Sequence, residues 1–374
     1  MSDLNPRHAV FVTAAYALQP EGGGVQHCTR EYLQVARAAG FTLHPVSFAT
    51  DRRPLARLRR KFRPRPYSDL VAPGFEAEVL RHVQASGARW IFFNQTDAGQ
   101  IAPRLAALRT SGVRFALLSH GIDSTDSLHT AHTRANFGLG PPVSDGDALL
   151  IGRQIFAEAA MHRHFDAIFC LSESDRLFEQ WLGGKNVQVL PRLVESAPLD
   201  WIPTAGRLGT VGTLGHAPNL DGLVQFCRAF VATPVSVRLR LVGSPPAIGE
   251  KLAREFPFID YLGSLTDIEL QAEARTWCAF LNPIFCVPRG CSTKLAVPLG
   301  WHLPVVTTRP GARGYFWDEA LVPFSDTPAE FARLAMQLSD PVAAAHLRPA
   351  ITEIAQRSPQ LEEVAARFAA ALLP

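Results

Sequence analysis

Short apolar, β-rich runs alternate with amphipathic helical stretches twice along this chain, and the alternation breaks only in one proline-rich stretch. No other feature limits the possible folds as much. In the first half the runs are AVFVTAAY (9–16), FTLHPVSF (41–48), WIFFN (90–94), RFALLSH (114–120) and AIFCLS (167–172). Helical patterns lie between them. In TREYLQVARAAG (29–40), Tyr32, Leu33, Val35, Ala36 and Ala39 share near-helical spacing ahead of Gly40, and FEAEVLRHVQASG (75–87) reads the same way. Strand and helix in turn imply a parallel sheet covered on both faces. The break, LPRLVESAPLDWIPTAG (190–206), reads as an interdomain linker. The second series runs LGTVGTL (208–214), SVRLRLVG (236–243), FIDYLG (258–263), CAFLNPI (278–284), LPVVTT (303–308) and ALVPF (320–324), with helices such as 219–232 and 266–277 between. The expected fold class is α/β: two doubly wound, Rossmann-like domains facing a central ligand cleft at the C-terminal ends of their strands.

The 374 residues suffice for two cores. A composition 47% apolar and 19% charged is that of a soluble globular protein. No apolar run reaches the roughly 18 residues that a spanning helix needs. The stretch AVFVTAAYAL (9–18) behind Arg7 and His8 imitates a signal-peptide core, but a strand followed by a glycine turn explains the same residues. Six cysteines lie scattered without a CxxC pair, which suggests buried thiols in a reducing cytoplasm and neither a metal site nor a disulfide framework. The net charge of +3 is local in origin. Residues 52–65, RRPLARLRRKFRPR, carry eight positive charges and no negative one, which leaves 29 basic against 34 acidic residues elsewhere. A nucleic-acid binder would spread its basicity along a face. Leu55, Leu58 and Phe62 in this run fall at i, i+3 and i+7, the pattern of a helix lying on an anionic membrane; a solvated loop explains it nearly as well.

Four motifs carry possible chemistry. PEGGGVQHCTREYL (20–33) puts Gly23 and Gly24 between a strand and a helix, where backbone N–H groups can approach an anion; a plain tight turn is the alternative. The dinucleotide pattern GxGxxG is absent there. LLSHGIDSTD (117–126) ends a strand in His120, either at a ligand or as a satisfied structural histidine. LVGSPP (241–246) and YLGSLTDIEL (261–270) each close a strand with Gly-Ser. Ser264 or Thr266 can cap the next helix, and the backbone at 262–265 could instead grip a flat ring. In PRGCSTKLAVPLGWHLPVV (288–306), Lys294 is the only charge after Arg289. Gly290, Ser292 and Thr293 form a polar turn before it, and the following helix offers unpaired N–H groups. A diphosphate suits one ammonium in such a cradle better than a carboxylate does, although a solvated surface lysine accounts for it too.

Taken in order, these stretches resemble the large group-1 family of nucleotide-sugar glycosyltransferases with the GT-B fold, over most of the chain. GGGVQHCTREYLQVARAAGF looks like the family's glycine loop and helix, and IGRQIFAEAAMHRHFDAIFCLSESD (151–175) is similar to the segment before its linker. VGTLGHAPNLDGLVQF (211–226), LRLVGSPP, FIDYLGSLTDIEL and STKLAVPLGWHLPVVTTRPGARGY (292–315) follow in the family's order. The resemblance implies an acceptor-side domain at 1–195, a donor domain at 206–357 and a terminal helix, about 358–374, that packs back on the first.

It also implies retaining transfer from a nucleoside diphosphate sugar as co-substrate, with no metal and no other cofactor. His120 and Lys294 would be catalytic. Gly23, Gly24, Gly212, Thr213, Gly243, Leu262, Gly263, Leu265, Arg289, Gly290, Ser292, Thr293 and Val297 would bind the donor. Arg289 and Val297 stand where the family commonly has two glutamates, and Thr213 stands where it usually has an arginine. Those departures keep a second reading open, a non-catalytic sugar-nucleotide-binding or partner subunit. The expected acceptor is a glycan or lipid-linked molecule in cell-surface polysaccharide or glycoconjugate synthesis. The expected location is the cytoplasm, with peripheral contact at the inner face of the membrane through residues 52–65 and no nucleic-acid partner.

Overall fold

The computed structural model describes residues 5–20, 22–50, 54, 67, 71–134, 141, 143–230 and 236–373. Apart from Pro54, the basic run 52–65 lies outside the described residues. The first sheet contains β1 (Asn5–Ala14), β2 (Thr42–Phe48), β3 (Ala88–Asn94), β4 (Arg114–Leu118), β5 (Ala167–Cys170) and β6 (Val187–Val189). They lie in the order β2-β1-β3-β4-β5-β6, all parallel. The second contains β7 (Arg207–Thr213), β8 (Arg238–Ser244), β9 (Ile259–Gly263), β10 (Ala279–Asn282) and β11 (Val305–Thr307), in the parallel order β11-β10-β7-β8-β9.

In each sheet the chain steps outward in one direction and then returns to build the other side. The reversal falls between β1 and β3 in the first sheet and between β7 and β10 in the second. Loops leaving such neighbouring strands part to opposite faces and open a crevice. The strands supply the core because they are nearly continuous apolar runs. Val10, Phe11, Val12, Ile91, Phe92 and Phe93 are all fully buried, as strands covered on both faces require. The helix Leu361–Leu372 lies against the first sheet, where Phe368 meets Phe169 at 4.4 Å, Phe92 at 5.5 Å and Phe41 at 5.8 Å between ring centroids.

One expectation needs correction. The stretch 320–324 is not a strand. Leu321 and Val322 donate back to the Asp318 carbonyl, Pro323 has no N–H to give, and Val322 is buried from within a turn. The stretch 190–206, read as an interdomain linker, is irregular and is held along its length by hydrogen bonds. Ala197 donates to Gly300, Leu199 to Trp301 and Ile202 to Arg275, and the Trp201 indole donates to the Trp277 carbonyl at 2.6 Å. β6, only three residues long, is too short to show a strand periodicity in the sequence.

Candidate active site

The loops at the two points of reversal line one cleft of about 1090 Å³ between the sheets. From the first domain it receives the start of the helix Gly24–Ala38, with Gly23 at the cap position. The first N–H groups of that helix have no intrahelical partner and carry the positive end of its dipole. A Cβ on Gly24 would lie 3.0 Å from the Thr293 hydroxyl, closer than side chains usually pack, and one on Gly23 would lie 3.5 Å from that of Thr213, at ordinary contact distance. The glycine loop of one domain thus faces two threonines of the other.

Lys294 sits in the short turn Thr293–Leu295 ahead of the helix Ala296–Gly300. Leu295 is fully buried, and Tyr315 donates from its hydroxyl to the Ser292 carbonyl at 2.8 Å, so the turn is held from behind. Its ammonium donates to Asn219 Oδ1 at 3.3 Å and stands beside Gly212. Among the described residues no carboxylate comes within ion-pair distance of it. Burial pushes its pKa down to about 8, since the charged form loses hydration that nothing anionic replaces.

His120 is buried in the loop just after β4. Its protonation is fixed by a chain of partners. Thr29 donates its hydroxyl proton to the Val25 carbonyl at 2.8 Å, and Thr13 turns its own toward the Ala14 carbonyl. Both threonines therefore accept from Asn94 Nδ2, each at 2.9 Å. That leaves Asn94 Oδ1 as an acceptor 2.9 Å from His120 Nε2. The ring must carry its proton on Nε2 and keep a lone pair on Nδ1. Burial holds the imidazole well below its ordinary pKa, and the cations of Arg289 and Arg192 push in the same direction. His120 is a neutral acceptor.

The domains touch beside this histidine. Gly121 and Gly290 both have positive φ and pack backbone to backbone; a Cβ on Gly121 would lie 2.1 Å from the Gly290 nitrogen. Arg289 lines the cleft, but its guanidinium is ion-paired with Asp123 and its backbone N–H donates to Asp126 Oδ1 at 2.8 Å. His216 Nε2 meets Asp126 Oδ2 at 3.2 Å on the same side.

Of the residues expected from the sequence, the cleft gathers His120, Lys294, Gly23, Gly24, Gly212, Thr213, Arg289, Ser292, Thr293 and Val297. Gly243, Leu262, Gly263, Leu265 and Gly290 fall outside its lining. Gly243 packs against the Gly212 carbonyl, and Leu262 and Leu265 join the apolar cluster around Trp277. Thr266 caps the next helix with Glu269 in a reciprocal pair. Sequence reasoning missed Asn94, Asn219, Asp123, Asp126 and the buried pair Arg192–Glu31, 2.7 Å apart, in which Arg192 comes from the stretch read as a linker. Asn94 had one readable sign, a polar residue closing the apolar strand WIFFN. Among the described residues no three His, Cys, Asp or Glu side chains gather as a metal would require.

No family model matches the sequence, and no curated protein is detectably similar to it. It superposes on solved glycosyltransferase structures. Sucrose-phosphate synthase from Thermosynechococcus elongatus superposes over 97% of each chain, with TM-score 0.68 at 15% identity. Anabaena HepE, solved with UDP and glucose, covers 98% of this chain and 99% of its own, with TM-score 0.62 at 14% identity. The lipopolysaccharide outer core galactosyltransferase WaaB covers 97% and 98%, with TM-score 0.58 at 10% identity. The fold is GT-B.

Proposed function

We propose that the protein transfers a sugar from a nucleoside diphosphate sugar to a hydroxyl of an acceptor bound in the same cleft. One observation carries the reading. Lys294, an ammonium with no carboxylate beside it among the described residues, shares the cleft with the open end of the helix Gly24–Ala38 and with Thr213, Ser292 and Thr293. That group offers positive charge and hydrogen-bond donors from both domains to one polyanion. The solved neighbours, one of which was crystallised with UDP and glucose, support the choice of donor.

In the reaction the bond between the anomeric carbon and the diphosphate oxygen breaks, and the acceptor oxygen bonds to that carbon. The electron pair leaves with the diphosphate, where Lys294 and the helix end stabilise it. His120 is too weak a base to take the acceptor proton. Its Nδ1 lone pair instead accepts from a sugar hydroxyl and orients the ring. The proton passes to the departing phosphate. We read the transfer as retaining, because an acceptor that hands its proton to the departing phosphate attacks from the same face, and as needing no metal, because Lys294 and the helix end meet the developing charge. The contacts at Asp123, Asp126 and Gly290 close the cleft on one side and would favour transfer over hydrolysis.

The acceptor we favour is a glycan or lipid-linked molecule of cell-surface polysaccharide or glycoconjugate synthesis. No described helix is long and apolar enough to cross a membrane. The test is release of nucleoside diphosphate from a panel of nucleotide sugars, alone and with membrane extract, by wild type and by Lys294→Ala. Turnover lost in the variant supports the enzyme. Donor binding seen by thermal shift without turnover under any condition would replace it with a binding subunit, a reading that the apolar Val297 at the cleft wall favours.

A further inference from the structure

One face of the first domain is apolar where it meets solvent. The chain steps from β4 to β5 to β6 in a single direction, so right-handed crossovers place the helices Asp145–His162 and Glu173–Trp181 on the same side of the sheet. A buried contact between His162 and Glu179 joins them. The first helix already buries Ile151 and Met161 inward. On its outer side Leu149 is 56% exposed and Phe156, one heptad on, 80%. On the second helix Leu177 is 60% exposed and Trp181, one turn on, 71%, with Phe178 beside them. Neither outer stripe finds a partner among the described residues. Large apolar side chains gathered in this way mark a docking surface.

The charges around the patch choose its occupant. Arg153 lies between Leu149 and Phe156 on the helix, while Arg163 and Lys185 stand past the two helix ends, all three exposed. Most carboxylates of these helices are engaged or buried. Asp147 pairs with Arg134 and Glu173 with Arg176, and Glu158, Asp175 and Glu179 are buried, which leaves Asp145 at the first helix's N-terminus. The rim is therefore basic. A second copy seated symmetrically here would set one basic rim against another.

We propose that this face docks on an anionic lipid bilayer, with Phe156, Leu177 and Trp181 entering the interface and Arg153, Arg163 and Lys185 meeting the headgroups. Amphipathic aromatic rings and basic residues are what such an interface takes up. The inference stands apart from the transfer reading and from residues 52–65.

Co-sedimentation with vesicles tests it, comparing a phosphatidylglycerol–phosphatidylcholine mixture with phosphatidylcholine alone. Wild type is expected to bind the mixed vesicles and not the neutral ones. Phe156→Ser with Trp181→Ser should weaken that binding roughly tenfold or more. Arg153→Gln with Lys185→Gln should weaken it too, with the melting temperature and the shift given by UDP unchanged in both variants. Equal vesicle binding by wild type and both variants overturns the proposal by placing lipid contact elsewhere. Absence of wild-type binding, or a wild-type dimer that Trp181→Ser dissolves, overturns it in favour of a protein partner.

Discussion

Asn94 and Asn282 do the same work in the two halves of the molecule. Each is the last residue of a strand at the reversal of its sheet, and each is buried. Each gives its amide N–H group to threonine, Asn94 to Thr13 and Thr29, Asn282 to Thr307. Each turns its carbonyl to a cleft residue, Asn94 to His120 and Asn282 to the hydroxyl of Ser292 at 3.2 Å. The cleft is thus held from below on both sides by an amide with little freedom to move.

Asn94→Ala should therefore cost more than its size suggests. It strands two threonine oxygens and the His120 N–H in a buried site, at about 1–3 kcal/mol. Urea denaturation should show that loss. Any transfer activity should fall further than stability explains, since His120 would no longer be bound to one tautomer. A variant as stable and active as wild type would remove the amide chain from the account.

Lys294 predicts a pH dependence. Its pKa of about 8 means the ammonium persists below pH 8 and is lost above it. A bound diphosphate favours the protonated form, so UDP affinity should stay level and then weaken as pH rises past 8. The window to examine by calorimetry is roughly pH 7 to 9.5, where the phosphate's own charge no longer changes. Lys294→Arg should flatten the profile, since a guanidinium stays charged throughout. Lys294→Ala should remove the dependence and lower turnover by about 10² to 10³. A wild-type profile level to pH 9.5 would detach this lysine from the phosphates.

Much of the framework was legible in the sequence, for a physical reason. Strands buried on both faces must be continuous apolar runs, and 9–16, 90–94 and 278–284 all became strands close to where they were read. Loops after such strands open onto a cleft, so the glycine run and Lys294 could be placed before any contact was known. What stayed hidden is long-range pairing. Nothing local to Arg192 points to Glu31, and nothing near Arg289 points to Asp123, because the first pair is joined only by the folding of the first domain and the second only where the two domains meet. Leu262 and Leu265 misled for the opposite reason: Thr266 and Glu269 explain their loop locally, as a helix start.

The Arg289–Asp123 pair spans the domains, with both side chains largely buried. A double-mutant cycle of Arg289→Ala and Asp123→Ala should give a coupling of about 0.5–3 kcal/mol in unfolding. Either variant should also raise the KM for donor more than it lowers kcat, because the cleft opens while Lys294 and His120 stay in place. Additive single effects would show that the pair is not a link between the domains.

Gly121 offers the sharpest test of closure. Its φ of +95° is one that side chains rarely adopt, and an added methyl would collide with the Gly290 backbone at 2.1 Å. A backbone cannot step aside as a flexible side chain can, so Gly121→Ala must strain the loop or part the domains. If they part, small-angle scattering should report a larger radius of gyration than wild type. UDP should still bind the Lys294 side, while transfer drops because His120, the neighbouring residue, no longer faces it. Gly290→Ala, which would meet the His120 carbonyl at 2.3 Å, should do the same from the other domain. The two together should then cost little more than either alone, since one contact is lost in all three. Independent, additive losses would mean that each glycine serves its own loop and that the domains do not close through this point.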